Sequence, residues 1–408
     1  MEERGRATTG KIAAITTYAV SYPLDAPMAD SLHYIAARPA LLLEVTTEDG
    51  LTGIGESAIY GGPASVIETV IHEELAPRVL GAEVTRPERL WHTMTARSHQ
   101  HGDGGVLNAA VSGLDIAVWD LMGRLAGLPL YQLLGGYRDH VPPYASAGFY
   151  MEGKNARDLG GEARSYVEAG YRHLKVKVGR TVDTPLNPLV NMDAAGFATV
   201  TFSEDIARVA AVREAIGEEV HVMVDANNAW TTSTALAAGR EFDRLGIHWF
   251  EEPVATEDRV GSASLGRALD LPIAGYETQT GLAGFRDLIA TRAVEIVQPD
   301  VIWSGGITVC RRIAALAAAH SMPCVPHVFS TAVGLAANLH FIASLPNSYL
   351  LELDQNPNAL RTELLDAPIE VDERGLVNVP QRPGLGVNLD RETLRRYASG
   401  VPRSTELS

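Results

Sequence analysis

Three short apolar stretches decide how this chain folds: VHVMVDA at 220–226, IHWFEEP at 247–253 and LPIAGYE at 271–277. Each stretch has the length and composition of a buried strand, and each carries an acidic residue near its end. The acids are Asp225, Glu251 and Glu277, and each lies 26 residues after the one before it. This spacing leaves room for one helix between consecutive strands, so the segment predicts parallel β/α units.

The same alternation continues on both sides of this segment. Apolar stretches predict strands near 143–149, 172–178, 220–225, 247–251, 272–276, 294–298, 323–327 and 348–353. Residues with helical periodicity lie between them, at 203–216, 233–245 and 309–320. Eight strands with intervening helices over about 210 residues predict an α/β fold of the TIM-barrel type, in which the C-terminal ends of the strands form the active site.

Residues before the barrel follow a different pattern. Two strands are predicted at 12–18 and 40–47, and apolar residues at steps of three and four predict a helix over 107–126 that Gly127 ends. This region is therefore an α+β domain, and the tail after residue 369 lacks the barrel rhythm. We predict an N-terminal α+β domain at 1–140, a barrel at 141–368 and a C-terminal segment at 369–408 that returns to the first domain.

Composition excludes several classes of function. The formal charge of −16 disfavours binding to nucleic acid or to an anionic membrane. No run of about 18 apolar residues indicates a membrane span, and the polar start of the chain lacks the apolar core of a secretory signal. The only cysteines, Cys310 and Cys324, form no CxxC pattern, which is typical of a protein from a reducing cytoplasm.

The acids at the strand ends predict a metal site. Three neighbouring strands of a barrel would present Asp225, Glu251 and Glu277 at the same rim. Carboxylates placed so close together repel one another unless a cation joins them, and an all-oxygen set suits Mg²⁺. The alternative is that each acid ends its strand by chance and caps the following helix.

Lysine is rare in this chain, with four lysines among 34 basic residues, yet two of the four share the segment HLKVKVG at 173–179. Strand alternation places Lys175 and Lys177 on one face, which we take to be the barrel interior. A second ammonium group and a metal ion nearby would lower the pKa of Lys177 from about 10.4 toward neutral, so that it could act as a general base. The alternative is a pair of structural ion pairs with the acids.

Further polar residues follow the later strands. Asp300 and His327 end the sixth and seventh predicted strands, where they could form a hydrogen-bonded dyad that makes the imidazole a second base. Glu352 lies near the end of the eighth strand. If protonated, it could donate a hydrogen bond to developing negative charge.

This ordered set resembles the enolase superfamily, and within it the mandelate racemase group. The segments DIAVWDL at 115–121 and PLYQLLGG at 129–136 resemble the connection between the capping domain and the barrel of that group. The resemblance implies a modified (β/α)₇β barrel with an α+β capping domain. It also implies magnesium ligands at Asp225, Glu251 and Glu277, and catalytic residues at Lys175, Lys177, Asp300, His327 and Glu352.

The resemblance further implies the reaction. We favour dehydration of an aldonic or aldaric sugar acid to a 2-keto-3-deoxy acid, with racemisation or epimerisation of a 2-hydroxy acid by two bases as the alternative. Muconate-lactonising and dipeptide-epimerising relatives need a lysine near the end of the sixth strand, which this chain lacks. A metal-binding barrel without catalysis is a further alternative. The candidate substrate contacts are Asn227, His33, Tyr34 and Tyr60.

Two expectations concern the rest of the molecule. Residues 180–201 form an insertion at the active-site end, which either touches the substrate or a neighbouring subunit, or is a surface elaboration. Relatives in this group are often octamers, so the resemblance implies a homo-oligomer.

Overall fold

The computed structural model describes residues 10–60, 62–96, 104–181 and 196–407. Its first layer is an antiparallel sheet in the order β13-β1-β2-β3. The strands are β1 (Ile12–Ala29), β2 (Tyr34–Thr47), β3 (Thr52–Ser57) and β13 (Arg403–Glu406). The sequence predicted shorter versions of β1 and β2 and missed β3. Because β13 pairs with β1, the end of the chain lies on the N-terminal domain.

Helices cover this sheet. They are α1 (Ala64–Thr69), a π-helical turn (Val70–Leu75), α2 (Ala76–Val79), α3 (Pro87–Thr95) and α4 (Gly105–Ala126). Helix α4 packs on β3 on one side and on a barrel helix on the other. Length and composition alone would let α4 cross a membrane, but 83% of its most apolar window is buried inside the protein. Burial on both sides explains why most of its residues are apolar, and why its polar residues such as Asp115 are buried too.

A curled parallel sheet in the order β10-β9-β8-β7-β6-β5-β11 forms the barrel. Its strands are β5 (Pro143–Ala147), β6 (His173–Lys177), β7 (His221–Asp225), β8 (Phe250–Glu251), β9 (Ile273–Gly275), β10 (Ile296–Val297) and β11 (Leu351–Asp354). Beneath it, β4 (His140–Val141) pairs with β12 (Val377–Asn378). The predicted fold class, a barrel with an α+β cap, is confirmed. The division at residues 140 and 368 stays a prediction.

The seventh predicted strand, at 323–327, is not a regular strand. A single bridge joins Cys324 to Val297, with hydrogen bonds from Val297 N to Pro323 O and from Val325 N to Val297 O. Prolines at 323 and 326 remove two backbone donors from a five-residue segment, so a continuous ladder cannot form there. The segment still lies beside β10, and Cys324 N donates to Asn347 O in the chain that leads into β11.

Helices surround the barrel. They are α5 (Leu130–Leu133), α6 (Ala156–Glu168), α7 (Phe202–Ile216), α8 (Thr232–Arg244), α9 (Arg259–Ala268), α10 (Gly281–Ala290), α11 (Gly306–Ala319), α12 (Ala332–Ala343), α13 (Ala359–Thr362) and α14 (Arg391–Arg396). Side chains of the preceding residue cap several of them, as Thr201 does for α7 and Asp258 for α9. The three helices predicted from periodicity are confirmed to within three residues at each end.

Alternation along the strands separates two layers of side chains. Leu174, Val176 and Val224 point outward into the main apolar core against the helices. Inside the barrel, a smaller apolar cluster fills the space below the polar residues: Tyr144, Met223, Trp249, Ala274, Ile296, Val325 and Leu350. The polar groups at the strand ends therefore rest on a packed floor, which holds them in fixed positions.

Part of the predicted insertion lies outside the described residues, at 182–195. Its first residue, Arg180, is fully buried. The guanidinium donates from Nη1 to Asp30 O at 2.7 Å and from Nε to Phe197 O at 2.7 Å. The insertion is therefore anchored against the loop between β1 and β2 of the cap.

Candidate active site

The three predicted metal ligands converge at one end of the barrel. Asp225 and Glu251 end β7 and β8 and are register partners in the parallel sheet. Glu251 pairs with Ala274 rather than with Glu277, so Glu277 lies further along than the even spacing predicts, in the turn after β9. One carboxylate oxygen from each of the three nevertheless lies within 4.8 Å of the others. All three side chains are buried.

Both lysines of β6 point into this cluster. Lys177 forms an ion pair with Asp225 Oδ2. Lys175 Nζ lies 2.5 Å from Glu251 Oε1, 2.8 Å from Glu352 Oε1 and 3.7 Å from Asp225 Oδ2. Lys175 is fully buried, whereas Lys177 is slightly exposed to the cavity above. The predicted lysine face therefore is the barrel interior, and of the two lysines only Lys177 reaches the cavity.

On the other side of the cavity, His327 meets Asp300. His327 Nδ1 lies 2.9 Å from Asp300 Oδ2, and its other ring nitrogen, Nε2, lies 3.1 Å from Glu277 Oε2. Tyr60 from the cap joins the pair, with its hydroxyl 3.1 Å from Asp300 Oδ2 and 3.0 Å from His327 Nδ1. The dyad predicted from spacing is thus present, and a third residue that the sequence offered only as a substrate contact touches both of its members.

Electrostatics of the site follow from burial and from these ion pairs. Burial lowers the pKa of Lys177, but the Asp225 carboxylate outweighs it and the pKa is raised above its usual value. Burial also lowers the pKa of His327, while the Glu277 and Asp300 carboxylates raise it, to about 10. Burial raises the pKa of Glu251 to about 7 against the opposing charge of Lys175. The fall in the pKa of Lys177 that we expect beside a bound metal ion stays a prediction.

Glu352 also differs from its prediction. Burial raises its pKa, but Lys175 in direct contact and His327 nearby lower it to about 2. Its Oε2 accepts a hydrogen bond from Val328 N at 2.9 Å. Glu352 is therefore ionised and holds Lys175, so the protonated form that we expected to donate a hydrogen bond is disfavoured. The sequence could not reveal this, because β11 meets β6 only through the closed barrel.

A cavity of about 330 Å³ opens above these groups between cap and barrel. Lys177, Glu277 and His327 line its floor, and His33, Tyr34 and Tyr60 line it from the cap. Three of the four residues that we predict to contact substrate thus line the cavity. The fourth, Asn227, does not line the cavity; its backbone N donates to Asp225 Oδ1 at 2.9 Å, so it supports a metal ligand instead.

Several buried residues that support the ligands were missed from the sequence. Trp249 Nε1 and Gln298 Nε2 donate to Glu251 Oε2 at 3.1 and 2.9 Å. Glu252 is fully buried behind the triad, where it accepts hydrogen bonds from Asn228 and Thr278. The doubled acid in Phe250-Glu251-Glu252-Pro253 was the available signal, since two adjacent carboxylates on one strand cannot both face the same interior.

Two segments of the chain match known protein families. Residues 12–135 match the N-terminal domain of mandelate racemase / muconate lactonizing enzyme. Residues 158–393 match the enolase C-terminal domain-like family. The two matches cover the cap and most of the barrel.

Individual proteins are similar over nearly the whole chain. Arabinonate dehydratase of Saccharolobus solfataricus is 38% identical over 87% of this chain and 89% of that enzyme. D-galactarolactone cycloisomerase of Agrobacterium fabrum is 32% identical over 96% of this chain and 100% of that enzyme. A racemase of Streptomyces coelicolor A3(2), solved with bound magnesium, is 33% identical, has a TM-score of 0.83 and matches over 95% of this chain and 99% of its own. Relatives of the chain are enzymes, and sugar-acid dehydratases and cycloisomerases are among them.

Proposed function

The chain belongs to the mandelate racemase group of the enolase superfamily, and we propose that it is a magnesium-dependent dehydratase of a sugar acid. The proposed reaction removes the proton beside the carboxylate and expels the hydroxyl on the next carbon, giving a 2-keto-3-deoxy acid. One observation carries the proposal: Lys177 and His327 border the same cavity beside the Asp225–Glu251–Glu277 cluster. A substrate carbon in that cavity has a proton acceptor on each side.

The donor set fits Mg²⁺. Among the described residues, five buried acids meet two lysines and one histidine here, so negative charge is in excess; the acids are Asp225, Glu251, Glu277, Asp300 and Glu352. Glu277 Oε2 is buried and accepts no hydrogen bond of ordinary geometry, although His327 lies nearby. Oxygen ligands from three carboxylates leave open positions for a substrate carboxylate. When bound, Mg²⁺ supplies positive charge that stabilises an enolate and compensates the Asp225 charge that raises the pKa of Lys177.

The proton transfers of the reaction are carried out by side chains of this protein. Lys177 Nζ is the base that takes the α-proton, and Lys175 with Glu352 fixes the charge balance beneath it. His327 Nε2 faces the cavity from the other side, where it gives a proton to the departing hydroxyl. Asp300 holds the imidazole through Nδ1, which directs Nε2 at the substrate.

Dehydration is preferred to the alternatives on two grounds. The identity of 38% to an arabinonate dehydratase supports a hydro-lyase that acts on a sugar acid. The residues that follow the sixth strand include Asp300, Trp303 and Ser304 but no lysine, unlike those of muconate-lactonising relatives. Racemisation or epimerisation by the same two bases is the alternative that the sequence predicted. A cycloisomerase is a second candidate, which the similarity to D-galactarolactone cycloisomerase favours. We also propose that the protein is a homo-oligomer of the cytoplasm.

Screening decides between these reactions. The protein with Mg²⁺ is incubated with a panel of aldonic acids, aldaric acids and their lactones, and 2-keto-acid formation is measured. A dehydratase releases water and forms a 2-keto-3-deoxy acid, an epimerase gives only a stereoisomer, and a cycloisomerase gives a product of unchanged mass. A product formed without loss of water, whether a stereoisomer or a ring-opened keto acid, would reject the dehydratase.

Variants of the two bases test their roles. Lys177→Ala and His327→Asn are each expected to lower kcat by about 100-fold or more, because each removes an acid–base group. Mg²⁺ binding, followed by calorimetry, should survive in both. The exchange of the α-proton in heavy water should depend on Lys177, and the loss of water on His327. Full activity in both variants would contradict the assignment, and Mg²⁺ binding without α-proton exchange of any acid would favour a metal-binding barrel.

A further inference from the structure

Charge pairing inside the cavity limits which sugar acids fit. Among the described residues that line it, four carry or can carry positive charge, and each already has an anionic partner. Lys177 is paired with Asp225, and His327 with Asp300 and Glu277. His33 lies 3.3 Å from Asp30, and Arg38 lies 2.7 Å from Asp354. Apart from the metal cluster, the described residues of the cavity wall therefore offer no spare cation.

The Arg38–Asp354 pair is held rigidly on the wall. Its side chains are 6% and 2% exposed, and the Arg38 guanidinium lies over the Phe329 ring at 3.7 Å. Asp354 ends β11, where its Oδ1 accepts hydrogen bonds from Asn356 N at 2.9 Å and Asn356 Nδ2 at 2.6 Å. Both members are thus fixed by contacts on their outer sides. The net charge of the pair is zero, although the N–H groups of Arg38 can still donate hydrogen bonds to a substrate hydroxyl.

One lining residue is a buried acid, Glu56, whose pKa burial raises to about 7. Glu56 ends β3 and accepts hydrogen bonds from Thr331 N, Thr331 Oγ1 and Gly334 N at 2.6 to 3.0 Å. It has no ion-pair partner in the described part of the chain. A second carboxylate on the substrate would therefore meet one unpaired acid and no unpaired base among the described residues of the wall. Burying an uncompensated charge costs far more than burying a hydroxyl, which hydrogen bonds alone can satisfy.

We propose that the enzyme selects sugar acids with a single carboxylate, the aldonic class, and rejects aldaric acids. This inference rests on the proposed function, since it assigns the one substrate carboxylate to the metal cluster. Asp354 is then a specificity-determining residue, because it neutralises the only arginine that lines the cavity in the described residues. The polar groups of Ser330 and Asn358 on the same wall suit substrate hydroxyls.

Matched pairs of an aldonic and an aldaric acid test the proposed substrate class in the unmodified protein. Each pair, such as galactonate with galactarate, differs only in a terminal hydroxymethyl or carboxylate group. With Mg²⁺ present, kcat/KM for the best aldonate is expected to exceed that for its aldarate by about 100-fold or more, because the second carboxylate lacks a partner. Equal values for the two acids would overturn the inference.

Asp354→Asn tests the residue. It keeps an oxygen for the Asn356 donors but frees the Arg38 charge, so kcat/KM for the aldarate should rise about 10-fold or more while that for the aldonate changes little. Asp372→Asn is the matched control, because Asp372 forms an ion pair with Arg374 on the surface. In Asp372→Asn, the ratio of kcat/KM for the aldarate to kcat/KM for the aldonate should equal that of the unmodified protein. An unchanged ratio in Asp354→Asn would reject the role of the pair.

Calorimetric binding of both acids separates this inference from the proposed reaction. If the aldonate binds with Mg²⁺ and the aldarate does not, but no water is lost, the dehydratase fails and the substrate class stands. If both acids are dehydrated equally well, the dehydratase stands and the substrate class fails. If neither acid binds, both fail.

Discussion

At the scale of single residues, Tyr60 shows how the cap takes part in the chemistry of the barrel. It follows β3, and its hydroxyl contacts Asp300 and His327 at 3.1 and 3.0 Å. Its ring packs edge-on against Trp303 at 5.2 Å. The imidazole of His327 is therefore held by a carboxylate on the barrel and by a phenol on the cap. Such supporting hydrogen bonds fix the direction in which a catalytic side chain points.

Removing only the Tyr60 hydroxyl should slow the reaction without weakening binding. For Tyr60→Phe we expect kcat to fall about 10-fold with little change in KM, since partners of this kind are worth about 10- to 100-fold. In heavy water, the rate of α-proton exchange, which depends on Lys177, should be unchanged, while elimination of water from the substrate should be slower. Tyr137→Phe, at an exposed tyrosine, is the control. A rise in KM at constant kcat would instead make Tyr60 a substrate contact.

His340 is a second residue whose surroundings set a measurable property. It is fully buried in α12, where Nδ1 accepts from Tyr131 N at 3.1 Å and Nε2 lies 3.0 Å from Leu385 O. Burial lowers its pKa from 6.5 to about 4. The unfolded chain therefore binds a proton at higher pH than the folded chain does. Its contribution to stability is complete above pH 6.5 and is lost as the pH falls from 6.5 toward 4.

This histidine should make the protein sensitive to mild acid. A shift of this size corresponds to about 3 kcal/mol of unfolding free energy between pH 6.5 and pH 4. In His340→Gln, which cannot titrate, the fall in the unfolding temperature over that range should be shallower. His92→Gln, at an exposed site on α3, should keep the slope of the unmodified protein. Identical slopes in both variants would contradict the assignment.

At the scale of elements, a buried acid of α4 in the cap bonds to the start of α11 in the barrel. Asp115 accepts hydrogen bonds from Thr308 Oγ1 at 2.6 Å and Thr308 N at 2.9 Å, at the start of α11. Gly306 opens that helix with φ of +82°, and a Cβ there would lie 2.4 Å from Asp115 Oδ2. Glycine is required because both the backbone conformation and the space exclude a side chain.

Two glycine variants separate these causes. Gly306→Ala and Gly127→Ala both place alanine at positive φ, but nothing lies within 4 Å of a Cβ at Gly127. We expect each to cost about 1 kcal/mol of unfolding free energy from backbone strain. Gly306→Ala should cost about 1–3 kcal/mol more, since Asp115 must move away from Thr308. Equal shifts in the unfolding temperature would show that the contact with Asp115 is unimportant.

At the scale of the whole molecule, the described residues at the active-site end of the barrel include more acidic than basic side chains. Three carboxylates with oxygens within 4.8 Å of one another oppose folding unless a cation binds between them. Metal binding and global stability are therefore coupled, because only the folded chain brings the three strand ends together. The long-range repulsion from a net charge of −16 adds to this dependence.

Magnesium should accordingly stabilise the folded protein. At 100 times its Kd, Mg²⁺ is expected to add about 2.7 kcal/mol to the free energy of unfolding, and chelation should remove it. The unfolding temperature is measured with Mg²⁺, with EDTA and with NaCl at the same ionic strength. Glu251→Gln, which weakens the cluster, should lose most of the response. A response that NaCl reproduces would indicate screening rather than a bound ion.

Local sequence by itself determined the barrel and the residues of its rim. Strand alternation placed Lys175 and Lys177 inside, and the spacing of Asp225, Glu251 and His327 put them at strand ends. Side chains alternate along a strand with a period of two residues, and strand ends recur once in every β/α unit. Both periods are common to all parallel barrels. The strand positions of these residues can therefore be predicted without knowing their tertiary contacts.

Tertiary structure alone decided how those residues are paired. Asp354 meets Arg38, Glu352 holds Lys175, and Tyr60 reaches His327 only because the cap docks over the barrel and the barrel closes. Contacts between positions hundreds of residues apart leave no period in the sequence. Ionisation depends on such contacts, since the charge nearest a buried group outweighs its own chemical type. The ionised state of Glu352 and the charge balance of the cavity were therefore fixed by the fold and not by local sequence.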